Sequence, residues 1–210
     1  MASRKVAVLV GSLRKGSFTG RLAEALRAMQ PAALDLEVVE IRDLPLYDQD
    51  GEERPPQAWV DFRTRVRAAD AVLFLTPEYN RSIPGALKNA IDVGSRPYGK
   101  SVWSGKPCAV ASTSPGAIGG FGANHHLRQC LVFLDMPVLQ QPEAYVGNAD
   151  KSLAPDGKVA KAETREFLDK FIRAFAAFVD RECAPAVLPA AAAAATKRPP
   201  TPSLSSGRRH

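Results

Sequence analysis

Short apolar runs alternate with longer stretches of helical period five times along this chain, and no other feature limits its possible folds so tightly. Residues 6–10, 36–41, 71–76, 107–112 and 137–140 read as strands, because they are short and rich in β-branched or aliphatic side chains. The first, third and fourth are the most apolar, as strands covered on both faces are. Between them Phe18, Leu22, Leu26 and Met29 recur at helical spacing, as do Val60, Arg63, Val66 and Arg67 in a more charged and exposed segment. Residues 86–93 and 123–134 supply two further helices, and Phe167, Leu168, Phe171, Ile172, Phe175, Phe178 and Val179 lay a broad apolar face along the last. Five β-α units joined by right-handed crossovers predict an α/β fold, a doubly wound five-stranded parallel sheet with helices on both faces. Ligands of such sheets sit at the carboxyl ends of the strands, near the point where strand order reverses. The loops after the first, third and fourth strands are therefore where chemistry is expected.

A chain of 210 residues, 45% hydrophobic and 24% charged, can bury a substantial single core. Its formal net charge of +6 suggests a nucleic-acid partner until the charges are located. The segment from Ala184 to His210 has no Asp or Glu but carries Lys197, Arg198, Arg208 and Arg209, so removing those four leaves +2 for residues 1–183. The segment also holds five prolines and an alanine run, too little large apolar surface to offset ordering entropy. Residues 1–183 are thus expected to form the domain and 184–210 a disordered, Ala/Pro-rich basic tail, with no nucleic-acid role for the folded part. Cys108, Cys130 and Cys183 share no metal-ligand spacing and are read as buried free thiols of a reducing compartment. The apolar run at 6–10 is too short for a signal peptide core or a membrane span, which makes the cytoplasm the expected location.

The first of the three loops reads GSLRKGSFTG, residues 11–20. Gly11 and Gly16 have the spacing of a nucleoside-triphosphate loop, but Ser17 and Phe18 stand where Lys and Ser/Thr would be needed, and the dinucleotide pattern G-x-G-x-x-G is absent too. What remains is a strand, a hydroxyl-rich turn and a helix start. Backbone N–H groups there, with Ser12, Ser17, Thr19 and the Arg14 guanidinium, suit one terminal phosphate, although Ser17 could serve only as a helix cap. The second loop, TPEYNRSIPGALKNAID, is a rigid turn in which Tyr79 offers a flat face to a planar ring and the amides of Glu78 to Asn80 could meet that ring's polar edge. The third, STSPGAIGGFGANHH, adds the hydroxyls of Ser112, Thr113 and Ser114, and its glycines at 116, 119, 120 and 122 permit close approach of main chain to a ligand. Each loop alone reads equally well as an ordinary turn; three at one sheet end point to a site.

These three stretches, with KPCAVASTSPGAIGG extending the last, resemble the NAD(P)H-dependent FMN reductases, a family that includes bacterial quinone and chromate reductases and azoreductase-like enzymes. The resemblance runs from about residue 6 to 180. It implies a flavodoxin-like fold, a homodimer or homotetramer with flavin sites near the subunit interface, FMN as cofactor and NADPH or NADH as electron donor. It further implies that Ser12, Arg14, Gly16, Ser17, Phe18 and Thr19 surround the FMN phosphate, that Pro77, Glu78, Tyr79 and Asn80 contact the ring system, and that Ser112, Ser114 and Gly116 close over it. Thr19 stands where most members carry Asn, and Arg81 where many carry an aromatic or small residue.

A flavin carries its own redox chemistry, so the protein's task is placement, and no catalytic side chain and no metal are assigned. His125 and His126 are read as satisfied polar groups at a helix start, or as substrate or interface contacts. The expected activity is hydride transfer from NADPH through FMN to quinones or similar acceptors, with chromate and azo compounds as further substrates. The competing reading is a flavodoxin-type electron carrier without nicotinamide oxidation of its own. Such carriers are strongly acidic for docking, whereas this body is almost neutral, which favours the enzyme.

Overall fold

The computed structural model describes residues 3–184; the expected basic tail lies, from residue 185 onward, outside the described residues. Strands and helices alternate as β1 (Arg4–Val10), α1 (Phe18–Met29), β2 (Leu34–Val38), a 3-10 turn (Gln49–Glu52), α2 (Gln57–Ala68), β3 (Ala71–Thr76), α3 (Gly85–Gly94), β4 (Cys108–Thr113), α4 (Phe121–Phe133), β5 (Ala144–Val146), α5 (Ala149–Ser152) and α6 (Ala162–Glu182). All pairings are parallel and the order is β2-β1-β3-β4-β5. This is the flavodoxin-like doubly wound arrangement, in which strand order reverses between β1 and β3.

Alternation of side chains along each strand splits the core into two layers. Val6 and Val8 of β1, Leu73 and Leu75 of β3, and Ala109 and Ala111 of β4 face α1 and α6. Ala7 and Leu9, Val72 and Phe74, and Cys108 and Val110 face α2, α3 and α4. Every residue of β3 and β4 is buried, as central parallel strands require. Leu168, Phe171, Ile172, Phe175 and Val179 on α6 are at most 1% exposed, and each such side chain contributes about 1.5–3 kcal/mol through burial. On the opposite face Trp103 is fully buried against Phe62 and Phe74, and its indole N–H donates to the Ile91 carbonyl at 2.9 Å.

Three expectations need correction. The second strand runs over Leu34–Val38 instead of 36–41, although Val39 and Ile41 still bury against the α2 side. The fifth strand is Ala144–Val146, not 137–140. The 137–139 segment does bond to Cys108, which donates to Pro137 and accepts from Leu139 at 2.8 Å each. Pro142 has no N–H to extend that ladder, and pairing with β4 resumes only at Ala144. On α2 the buried stripe is Trp59, Phe62, Arg63 and Val66, while Val60 and Arg67 face outward. Arg63 is nearly covered because its guanidinium packs over Trp59 and its Nε donates to the Val93 carbonyl at 2.8 Å.

A Cβ at Gly94, the last residue of α3, would sit 2.3 Å from the Trp103 ring. Gly94→Ala is expected to lower stability by about 1–3 kcal/mol, the usual cost of overfilling a packed core. Urea unfolding followed by Trp fluorescence checks it; an unchanged midpoint would show that the ring can shift aside.

Candidate functional site

β1 ends by donating the Gly11 N–H to the Leu75 carbonyl of β3 at 2.8 Å, after which the two chains part and leave space at the switch point. The first loop folds through a turn in which the Ser17 N–H donates to the Arg14 carbonyl at 3.1 Å. Gly16 is the third residue of that turn at φ +65°, a conformation that a side chain would strain. Ser17 caps α1: its hydroxyl oxygen accepts from the Gly20 N–H at 3.1 Å and from the Thr19 hydroxyl at 3.2 Å. Among the described residues no acceptor meets the N–H groups of Phe18 and Thr19, so the positive end of a twelve-residue helix keeps two unbonded donors. Arg14 is exposed, 5.6 Å from the Phe18 ring centre.

In the second loop Tyr79 and Ser82 exchange backbone hydrogen bonds of 2.9 and 3.0 Å across Asn80 and Arg81, which sit at φ 52° and 67°. These are the marks of a type I′ hairpin turn. The Tyr79 amide is thus engaged within the loop, contrary to the expectation that it faces a ligand. The Tyr79 hydroxyl lies 3.2 Å from Ser12 Oγ, joining this loop to the first. Glu78 reaches the other way, its carboxylate accepting from the Ala123 N–H at 3.0 Å in the first turn of α4. In the third loop Thr113 donates to the Val146 carbonyl at 2.9 Å, and Ser114 Oγ accepts from the Gly116 N–H at 3.0 Å.

A groove of about 230 Å³ runs between these loops, lined by Ser12, Arg14, Ser17, Phe18, Thr19, Pro77, Glu78, Tyr79 and Ser114 together with Thr113 and Pro115. Thr113 was read only as a further hydroxyl of the third loop and Pro115 was not singled out, although both lie in the same STSP stretch. Four expected contacts fall outside the lining. Gly16 faces a neighbouring cleft, Asn80 is exposed on the hairpin turn, and Gly116 is exposed beyond Ser114. Ser112 is fully buried, accepting from the Asn124 amide at 3.2 Å and so tying α4 to β4.

Among the described residues no histidine or cysteine lines the groove. His125 bonds the Tyr145 hydroxyl at 2.9 Å and His126 bonds Ser82 at 2.6 Å. Burial, helped by Glu143, pushes the Tyr145 phenol up to about 12. Cys108 is buried, but Cys130 and Cys183 are only half-buried, a correction to the expected three buried thiols. Burial raises all three above the ordinary thiol range, so none is a ready nucleophile.

Residues 4–151 match the family model described as NADPH-dependent FMN reductase. The chain belongs to that family. Its chemistry is accordingly flavin oxidoreduction, with FMN as cofactor and a reduced nicotinamide as electron donor. It is 61% identical over 175 residues to a quinone reductase of Pseudomonas putida, spanning 83% of this chain and 94% of that one. A 2-hydroxy-1,4-benzoquinone reductase of a Burkholderia species is 44% identical over 83% of this chain and 96% of its own length. Among solved structures, FerB, a flavoenzyme NAD(P)H:(acceptor) oxidoreductase of Paracoccus denitrificans, superposes with a TM-score of 0.81 at 40% identity, over 85% of this chain and 98% of that one. The donor set of the groove suits the phosphate of FMN, since two unbonded amide donors, the hydroxyls of Ser12, Ser17 and Thr19 and an exposed guanidinium without a carboxylate partner among the described residues line it together with Pro77 and Tyr79.

Glu78→Ala is expected to cost about 1–2 kcal/mol, because it removes a charge-assisted bond at a helix start. Glu78→Gln, which keeps an acceptor oxygen, is expected to lose less than half of that. Urea midpoints of the two variants decide whether the carboxylate anchors the second loop to α4.

Proposed function

We propose that this chain is an FMN-dependent NAD(P)H oxidoreductase that delivers electrons to quinones, with chromate and azo compounds as further acceptors. The observation that carries the reading is the pair of unbonded N–H groups at Phe18 and Thr19, residues that line the groove together with Arg14. Ser12, Arg14, Ser17, Phe18 and Thr19 would hold the phosphate, and Pro77, Glu78, Tyr79 and Ser114 would flank the ring system. FMN when bound supplies the hydride-accepting and electron-donating chemistry. The residues of the chain bind and orient. The capped start of α1 presents fixed donors to an anion, which costs no reorganisation when the ligand arrives. The bond between Tyr79 and Ser12 closes one wall of the slot, while the half-exposed Tyr79 ring keeps an apolar face toward solvent for a flat acceptor.

The names of the relatives support a quinone as acceptor: a quinone reductase and a 2-hydroxy-1,4-benzoquinone reductase share 61% and 44% of aligned residues with the chain. A homodimer or homotetramer belongs to the same reading. Val132 and Phe133 on α4 are 74% and 90% exposed, and Ile118 and Phe121 add apolar surface at the other end of that helix. No helix among the described residues is long and apolar enough to cross a membrane, and the cytoplasm is the compartment we assign.

Arg14→Ala is expected to weaken FMN binding about ten- to a hundredfold, the loss of one charge-assisted contact to phosphate, with an unchanged far-UV circular dichroism spectrum. Calorimetric titration with FMN checks it, and an unaltered affinity would remove this loop from the phosphate site. Stopped-flow mixing with NADPH, then with benzoquinone, should show bleaching and recovery of the flavin absorbance; recovery only with a protein acceptor would favour the electron carrier.

A further inference from the structure

A second cleft, about 430 Å³ in volume, adjoins the groove on the β2 side and shares Ser12, Arg14 and Ser17 with it. Its volume lies in the range of small-molecule sites, roughly 300–1,000 Å³. Val10, Ala23, Val38, Val39 and Pro155 give it apolar walls, and three guanidiniums line it, those of Arg14, Arg21 and Arg42. None of the three has a carboxylate partner among the described residues. Arg21 donates through Nη1 to the Leu153 carbonyl at 3.1 Å and lies 5.1 Å from the Phe18 ring centre, while its buried Nε has no acceptor. Arg42 donates to the Leu13 carbonyl at 2.6 Å, which ties the segment after β2 to the first loop.

Three acids also line the cleft, and none of them pairs with these guanidiniums. Glu24 pairs with Arg27 at 3.3 Å and Asp156 with Lys158 at 2.9 Å. Glu40 accepts from the N–H groups of Ile41 and Arg42 at 3.1 and 3.0 Å. A cleft with unpaired guanidiniums, an unsatisfied buried N–H and apolar walls matches a planar or sugar-bearing ligand that carries a phosphate, since guanidinium forks suit phosphate oxygens. It is larger than a bare phosphate needs.

We propose that this cleft takes the phosphorylated adenosine end of NADPH, with Arg42 and Arg21 recognising the 2′-phosphate, and so sets the preference for NADPH over NADH. The inference rests on the adjoining groove holding FMN, because the shared wall of Ser12, Arg14 and Ser17 then sets a donor bound in the cleft beside the flavin.

Steady-state kinetics of the full-length, FMN-loaded enzyme test it with Arg42→Ala and, independently, Arg21→Met. Each is expected to raise the KM for NADPH about tenfold while kcat and the KM for NADH stay within twofold, because NADH lacks the 2′-phosphate. Calorimetry on the same holoenzyme should show adenosine 2′,5′-bisphosphate binding and competing with NADPH, and 5′-AMP binding at least tenfold more weakly. The proposal is overturned if the bisphosphate does not bind, if inorganic phosphate competes equally well, or if both variants raise the KM for NADH as much as that for NADPH. Failure of the wild-type chain to retain FMN would instead remove both this inference and the function on which it rests.

Discussion

The parallel pairing of β1 with β3 carries the rest of the molecule, because the site exists only where that ladder stops. Five residue pairs hold the two strands in register from Val6 opposite Ala71 to Val10 opposite Leu75, and the Gly11 N–H adds one more bond before the backbones diverge. β2 lies beyond β1 while β4 lies beyond β3, so crossovers leave this line in opposite directions. The gap between the two following loops cannot be filled by either helix layer. A one-residue slip would exchange Val8 and Leu9 between layers and destroy both cores, so packing fixes the position of the gap to the residue.

Side chains then fix the loops to the sheet and to one another. Ser17 stabilises the start of α1 from within, but Glu78 and Ser112 act at a distance: the first holds the second loop to α4, and the second accepts a bond from Asn124 on the same helix. α4 is therefore the common support of the second and third loops. The groove is rigid on that side because two polar anchors and a layer of buried Ala123, Leu127 and Leu131 hold one helix in place. A cofactor that needs placement more than acid-base help is served by such a frame.

How much of this was legible in the sequence follows from the range of each interaction. The sheet, its helices and the first loop were readable because their signals are local: a β-branched run, a 3.6-residue period, a Ser before a helix. The fifth strand was not, since three residues beside Pro142 carry no periodic signal and pair only because β4 offers a free edge. The surroundings of Ser112 were hidden for a similar reason. Its hydroxyl looks like that of Thr113 in sequence, yet strand alternation turns one toward Asn124 and the other toward Val146 and the groove. Arg63 reads as surface charge, and only the tertiary fold supplies the Trp59 face and the Val93 carbonyl that let it be buried.

Charge placement explains why two cavities can share one wall. Two phosphate groups bound side by side repel each other strongly, and salt screens that repulsion only beyond roughly 8–10 Å. A site for both therefore needs cations between them and behind them. Arg14 lines both cavities, whereas Arg21 and Arg42 line the larger cleft alone. Residues 1–183 carry a formal excess of only two positive charges, so three unpaired guanidiniums along one cleft reflect local concentration and not a basic protein. Glu24, Glu40 and Asp156 line the same cleft, but Glu24 pairs with Arg27, Asp156 with Lys158, and Glu40 accepts two backbone N–H bonds, so none forms an ion pair with the three guanidiniums.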